Sequence, residues 1–145
     1  MFLLYLKKRK FANKGRMIMD KQINNALTYE IIGCAIEVHK TLGPGLLESV
    51  YEKALQQELK EKGFRVESQK VVELNYKGVN IGEGLRLDLL VENEVIVELK
   101  SVEDLKPIHY KQLLTYLKLT NKKMGLLINF NEESLTDGVK RVLNV

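Results

Sequence analysis

The chain predicts a single-domain α/β protein, and three observations carry that expectation: two stretches of helical apolar spacing near the start, a valine- and leucine-rich run of strands in the middle, and one further helix and strand. Ile31, Cys34, Ala35, Val38 and Leu42 recur at helical spacing, which predicts a first helix over about residues 24 to 40, ended by Gly43-Pro44-Gly45. Leu47, Val50, Tyr51, Ala54, Leu55 and Leu59 share one broad face of a second helix from about Leu46 to Lys62, with Gly63 as its stop. Residues 65 to 75 alternate as a strand up to the turn Asn75-Tyr76-Lys77-Gly78, and a hairpin follows. Pro107 opens a third helix to about Leu119, Met124 to Phe130 reads as a strand, and Leu135 to Leu143 as a short terminal element. The expected order is α-α-β-β-β-α-β.

The 145 residues, 45% hydrophobic, suffice for one core. The net charge of +4 is misleading as a nucleic-acid signature: residues 1 to 21 hold seven Lys/Arg against one acid, so residues 22 to 145 sum to −2. Residues 1 to 21 therefore read as a flexible basic extension, with Met17 or Met19 as alternative starts, and 22 to 145 as the folded domain. Any basic groove must come from local clusters such as Lys106, Lys111, Lys118, Lys122 and Lys123, unless these are a solvated helix face. The single Cys34 excludes an internal disulfide, reads as core filler and fits a reducing, cytoplasmic setting. Two histidines and one cysteine offer none of the usual zinc spacings. The short apolar opening has its basic cluster after it, unlike a signal peptide, and no segment approaches a membrane span.

The hairpin from Leu85 to Lys100 interrupts its apolar pattern with charge. Leu85, Leu87, Leu89 and Val91 take one face of its first strand and Arg86, Asp88, Leu90 and Glu92 the other; in the second, Val95, Val97 and Leu99 oppose Ile96, Glu98 and Lys100. A two-residue Asn93-Glu94 turn would set Asp88 opposite Leu99. A three-residue loop of Glu92, Asn93 and Glu94 sets Asp88 opposite Glu98 and keeps the leucine face intact, and is the register expected. Two carboxylates across a ladder destabilise each other unless a cation lies near, and Lys100 or a divalent metal ion supplies one. Oxygen ligands suit Mg²⁺ or Mn²⁺, and a carboxylate pair with a neighbouring lysine is what metal-assisted phosphodiester cleavage requires. A solvated ion-pair patch, worth under about 1 kcal/mol, is the alternative.

Elsewhere, Glu48 falls within the apolar arc of the second helix, which points it toward the sheet, while its place in the first turn also suits the helix dipole. His109, Gln112 and Tyr116 form a polar stripe on the third helix, either surface or in contact with a phosphate or exposed base. His39 is either support for Glu48 or a cap at the end of the first helix.

Gly45-Leu46-Leu47-Glu48-Ser49-Val50-Tyr51, with Glu37 to Gly45 before it and Gln112-Leu113-Leu114-Thr115-Tyr116-Leu117 after, resembles the GxxExxY proteins over about residues 22 to 144. That family is placed in the PD-(D/E)XK nuclease superfamily. The resemblance implies a restriction-endonuclease-like core, a mixed β-sheet flanked by helices in the order αβββαβ, here with an extra N-terminal helix. It matches Asp88 to the first acidic position, Glu98-Leu99-Lys100 to the (D/E)XK element, and Glu48 to the first-helix acid. Gln112 and Tyr116 resemble the QxxxY motif of the exonuclease branch, while Leu87 stands where a proline usually precedes the aspartate. The implied function is a divalent-metal-dependent nuclease. Asp88, Glu98, the Leu99 carbonyl and Glu48, directly or through water, hold Mg²⁺ or Mn²⁺; Lys100 holds the attacking water or the phosphate, and Gln112 and Tyr116 orient Lys100 or a neighbouring phosphate. The implied partner is nucleic acid, DNA ahead of RNA, with a homodimer allowed and no membrane. The competing reading is a nucleic-acid-binding or scaffold module that keeps the fold without turnover.

Overall fold

The computed structural model describes the chain from Arg16 onward, and its side chains from Asn25. Helix α1 (Arg16–Leu42) is followed by α2 (Glu48–Glu61), strands β1 (Val66–Tyr76), β2 (Val79–Val91) and β3 (Val95–Lys100), helix α3 (Pro107–Thr120), strand β4 (Met124–Asn129), a 3₁₀ turn (Leu135–Gly138) and strand β5 (Val139–Leu143). α1 begins at Arg16 rather than near residue 24, since residues 16 to 23 contain neither glycine nor proline to stop it. Residues 1 to 15 of the expected extension lie outside the described residues.

The strands form one sheet in the order β1-β2-β3-β4-β5, antiparallel except for the parallel pair β3–β4, with α3 as the crossover. It is the expected mixed sheet, with β5 added. β5 was not legible as a strand because it is a half-exposed edge carrying Lys140 and Arg141 mid-strand, which blunts alternation.

Two apolar clusters make a three-layer arrangement. Leu27, Ile31 and Val38 of α1 and Tyr51, Leu55 and Leu59 of α2 cover Val95, Val97, Leu99, Leu126 and Ile128. Leu113 and Leu117 of α3 cover Ile96 and Leu127 on the opposite face. At Gly125 an added Cβ would lie 2.9 Å from Leu113 Cδ1, so glycine is what lets α3 lie close on β4. Cys34 is buried in the first cluster, and burial pushes its thiol up to about 11, as suits core filler.

Two expected faces differ. The buried stripe of α2 is the narrow line Tyr51-Leu55-Leu59, while Leu47 is 74% exposed and Val50 40%, because both flank the first turn beyond the packed stripe. The leucine face of β2 also splits: Leu89 and Val91 join the first cluster, Leu85 and Leu87 the second. The change of side falls at Asp88, where pairing with β3 ends and where neither Asp88 nor Gln69 opposite it is bridged, so regular alternation is interrupted at that step.

Candidate active site

The hairpin connection fixes the register. Glu92 and Asn93 both take left-handed backbone (φ 51° and 53°), Glu94 N–H donates to Val91 O at 3.0 Å, and Val91 pairs with Val95. This is a primed turn with Glu94 as the extra residue, so the connection is Glu92, Asn93 and Glu94, the three-residue loop expected. Glu92 is held there, buried, by the Arg65 side chain (Nε to Oε2, 3.0 Å) and backbone N–H (3.2 Å).

Paired residues continue to Leu89 and Val97, and one step further the register sets Asp88 across from Glu98. Here the ladder opens and side chains take over its backbone partners. Leu99 N–H donates to Asp88 Oδ2 at 2.9 Å, and Asp88 N–H donates to Glu98 Oε1 at 3.2 Å. Glu98 is only 5% exposed. Burial first, then the Asp88 charge, pushes its carboxyl up to about 9, against the pull of Lys100, which favours the protonated form of Glu98 at neutral pH.

Lys100 is half-buried one residue past Leu99, and its carbonyl accepts Phe130 N–H at 2.9 Å, which ties the end of β3 to that of β4. From α3, Tyr116 comes near enough to both acids that their charges, added to burial, raise its phenol, while Gln112 hydrogen-bonds it. The structure thus brings Asp88, Glu98, Leu99 and Lys100 together, with Tyr116 and Gln112 beside them. Glu48 sits at the margin: it is the exposed first residue of α2, and its Oε1 accepts Ser101 N–H at 3.3 Å, just beyond β3. Among the described residues no group of three or more Asp, Glu, His or Cys could by itself hold a metal ion; the acids here are a pair.

Two histidines lie elsewhere. His39 Nε2 bonds Glu132 O at 2.7 Å, tying α1 to the loop after β4 rather than reaching Glu48. His109 Nδ1 accepts Lys106 N–H at 3.0 Å and closes the N-terminus of α3, which removes it from the polar stripe.

Several residues that position the site were not singled out by sequence reasoning. Tyr51, read as core, stacks on Phe130 with centroids 4.4 Å apart, and its hydroxyl donates to Gly43 O (2.6 Å) and accepts Leu46 N–H (3.0 Å). It therefore holds the loop that delivers Glu48. Ser101 Oγ donates to Leu46 O at 2.7 Å and stitches the same loop to β3. Asn129, fully buried, accepts Val102 N–H and Asn131 N–H and donates to Val102 O, fixing the segment after Lys100. Glu52 and Gln69 approach Asp88 from the other side: Gln69 Nε2 lies 2.8 Å from Glu52 Oε2 and 3.5 Å from Asp88 Oδ1.

Among known proteins, a family model described as the PD-(D/E)XK nuclease superfamily matches residues 25–142. A solved structure of SSO0001 is similar with TM-score 0.51 and 17% identity, over 95% of this chain and 61% of that one, a likeness of fold alone. No curated protein matches.

Proposed function

The chain belongs to the PD-(D/E)XK nuclease superfamily, and on that premise we propose that it is a divalent-metal-dependent nuclease acting on DNA, with Asp88, Glu98 and Lys100 at its centre. One observation carries the reading: Asp88 and Glu98 stand abreast where an antiparallel ladder opens, each carboxyl bound by a backbone N–H of the opposite strand that regular pairing would have used. A pair this unfavourable as two anions suits a cation that takes the proton's place.

Nucleases of this superfamily depend on a divalent metal ion, and the donor set fits a hard one. Asp88 and Glu98 offer oxygens only, and Leu99 adds its backbone carbonyl: Lys100 O points to β4, so the preceding carbonyl turns toward Asp88. Two carboxylates with one carbonyl leave room for waters and a substrate phosphate, the habit of Mg²⁺ and, equally, Mn²⁺. Glu48, at the margin, would join directly or through water. When bound there, such an ion would supply polarisation of the phosphoryl oxygen and a lowered pKa for the attacking water.

The chain's own groups do the remainder. Lys100, charged and without a lone pair, holds the attacking water or the scissile phosphate and offsets charge gathering on it. Tyr116, steadied by Gln112, orients Lys100 or a neighbouring phosphate from α3. The test is to screen the purified chain against labelled single- and double-stranded DNA and RNA with Mg²⁺ and with Mn²⁺. Metal-dependent cleavage that disappears in Asp88→Asn supports the reading. Binding without cleavage in every condition replaces it with the non-catalytic module.

A further inference from the structure

Asp88 has a neighbour directly across on each side. In β3 it is Glu98; in β1, where Ser68 pairs with Leu89 and Lys70 with Leu87, it is Gln69. The three side chains form a row across three strands, and the row is irregular at Gln69. This residue takes φ 51° in the interior of β1, a left-handed conformation costly for any residue with a Cβ, and neither it nor Asp88 is bridged in the otherwise continuous stretch of ladder from Val66 to Val72. The distortion comes with a specific contact: Gln69 Nε2 donates to Glu52 Oε2 of α2 at 2.8 Å and lies 3.5 Å from Asp88 Oδ1.

The chemistry of these oxygens gives the contact a purpose. Asp88 Oδ2 is already taken by Leu99 N–H, which leaves Oδ1 as the less committed oxygen. The two amide hydrogens of Gln69 face one acceptor on Glu52 and one on Asp88, so the amide bridges the two acids and limits where Oδ1 can point, while leaving that oxygen a lone pair for a ligand.

We propose that Gln69 is a positioning residue for Asp88, anchored on Glu52 and held by its left-handed backbone so that the less committed carboxylate oxygen, Oδ1, is pre-set for a divalent cation. The inference rests on the metal reading of Asp88 and Glu98. A hydrogen bond to a ligating carboxylate typically changes metal affinity by about 10- to 100-fold.

Glycine and asparagine separate the side chain's role from the backbone's. Gln69→Gly accepts the positive φ without strain and removes the amide. Gln69→Asn tolerates the same φ but is one methylene too short to span Glu52 and Asp88. Mn²⁺ binding to the full chain is measured by titration calorimetry, and thermal unfolding is followed in EDTA. The expected result is a Kd for Mn²⁺ raised about 10- to 100-fold in both variants, with the melting temperature in EDTA unchanged or higher for Gln69→Gly. Kd values within twofold of wild type overturn the inference and leave Gln69 as a local kink in β1. A loss of affinity matched by a loss of stability in EDTA overturns it too, because the role is then structural. If wild type binds Mn²⁺ no better than Asp88→Asn, the metal reading itself fails and takes this inference with it.

Discussion

Binding of Mg²⁺ or Mn²⁺ should expel a proton from Glu98, and the size of the effect follows from that one carboxyl. In the free protein it is pushed from 4.5 to about 9, with burial as the main cause and Asp88 the next. Between those values the unfolded chain is ionised at this position and the folded chain is not, so the folded state binds more protons. The stability Glu98 contributes is therefore full below pH 4.5 and is lost as pH rises toward 9. The slope is at most about 1.4 kcal/mol per pH unit, and the full span has a ceiling of about 6 kcal/mol, which relaxation and water entry reduce to a few. Because a bound ion needs the carboxylate, affinity runs the other way: Kd should fall about tenfold per unit between pH 6 and 8, with close to one proton released. Calorimetry in two buffers of different ionisation enthalpy measures the proton directly, and thermal unfolding in EDTA across pH measures the slope. Glu98→Gln should flatten that slope and lose most of the metal-dependent rise in melting temperature, while folding at least as well as wild type at pH 8. Metal binding by wild type without proton release, or the same pH slope in Glu98→Gln, refutes the account of a protonated Glu98.

Lys100→Ala should slow cleavage by about 10²- to 10³-fold, the usual cost of one well-placed charge-stabilising group, while Mn²⁺ affinity stays nearly unchanged; equal rates in a nuclease assay would remove Lys100 from the reaction. Tyr51→Phe leaves Gly43 O and Leu46 N–H without their partner, for a loss of about 1 to 3 kcal/mol in urea unfolding with the Phe130 stacking retained. Asn129→Ala strands Val102 N–H and O, and should cost about 2 to 4 kcal/mol, read as a lower urea midpoint at constant m-value.

What the sequence disclosed was set by periodicity and by local charge conflict. β3 and β4 were legible because valine, leucine and isoleucine alternate or run unbroken there, and the helices because their apolar spacing is bounded by glycine and proline. The hairpin register was legible for a different reason: only one loop length kept Asp88 and Glu98 abreast, and the pair is costly enough to need a purpose. The leucine face of β2 was misjudged because strict alternation does not foresee the break in the ladder at Asp88 and Gln69. The partners of His39 and His109 were not readable because a histidine's partner is chosen by tertiary approach: a carbonyl on another loop in one case, its own helix start in the other. Tyr51 was rightly placed in the core, but its hydroxyl's partners, like those of Ser101 and Asn129, were unreadable on the same grounds, since nothing in their spacing reveals which backbone groups lie within hydrogen-bond reach.

The opening of the β2–β3 ladder explains why the acids meet here and not elsewhere along the hairpin. From Leu89 to Val91 backbone pairing between β2 and β3 is regular and both strands are buried, so a carboxylate there would lose its solvation with no donor left to bond it. Farther toward the β1–β2 tip the ribbon is exposed, and a carboxylate there would stay ionised and solvated. Asp88 and Glu98 occupy the step between, where backbone N–H groups released from the ladder bond the carboxyls while burial raises the pKa of Glu98. Lys100 follows Glu98 by one pleat, which puts the lysine on the same face of β3. Moving that lysine by one residue, as in Lys100→Leu with Ser101→Lys, should therefore abolish cleavage with the charge content unchanged; retained turnover would mean that proximity along the chain, rather than the face of β3, is what matters.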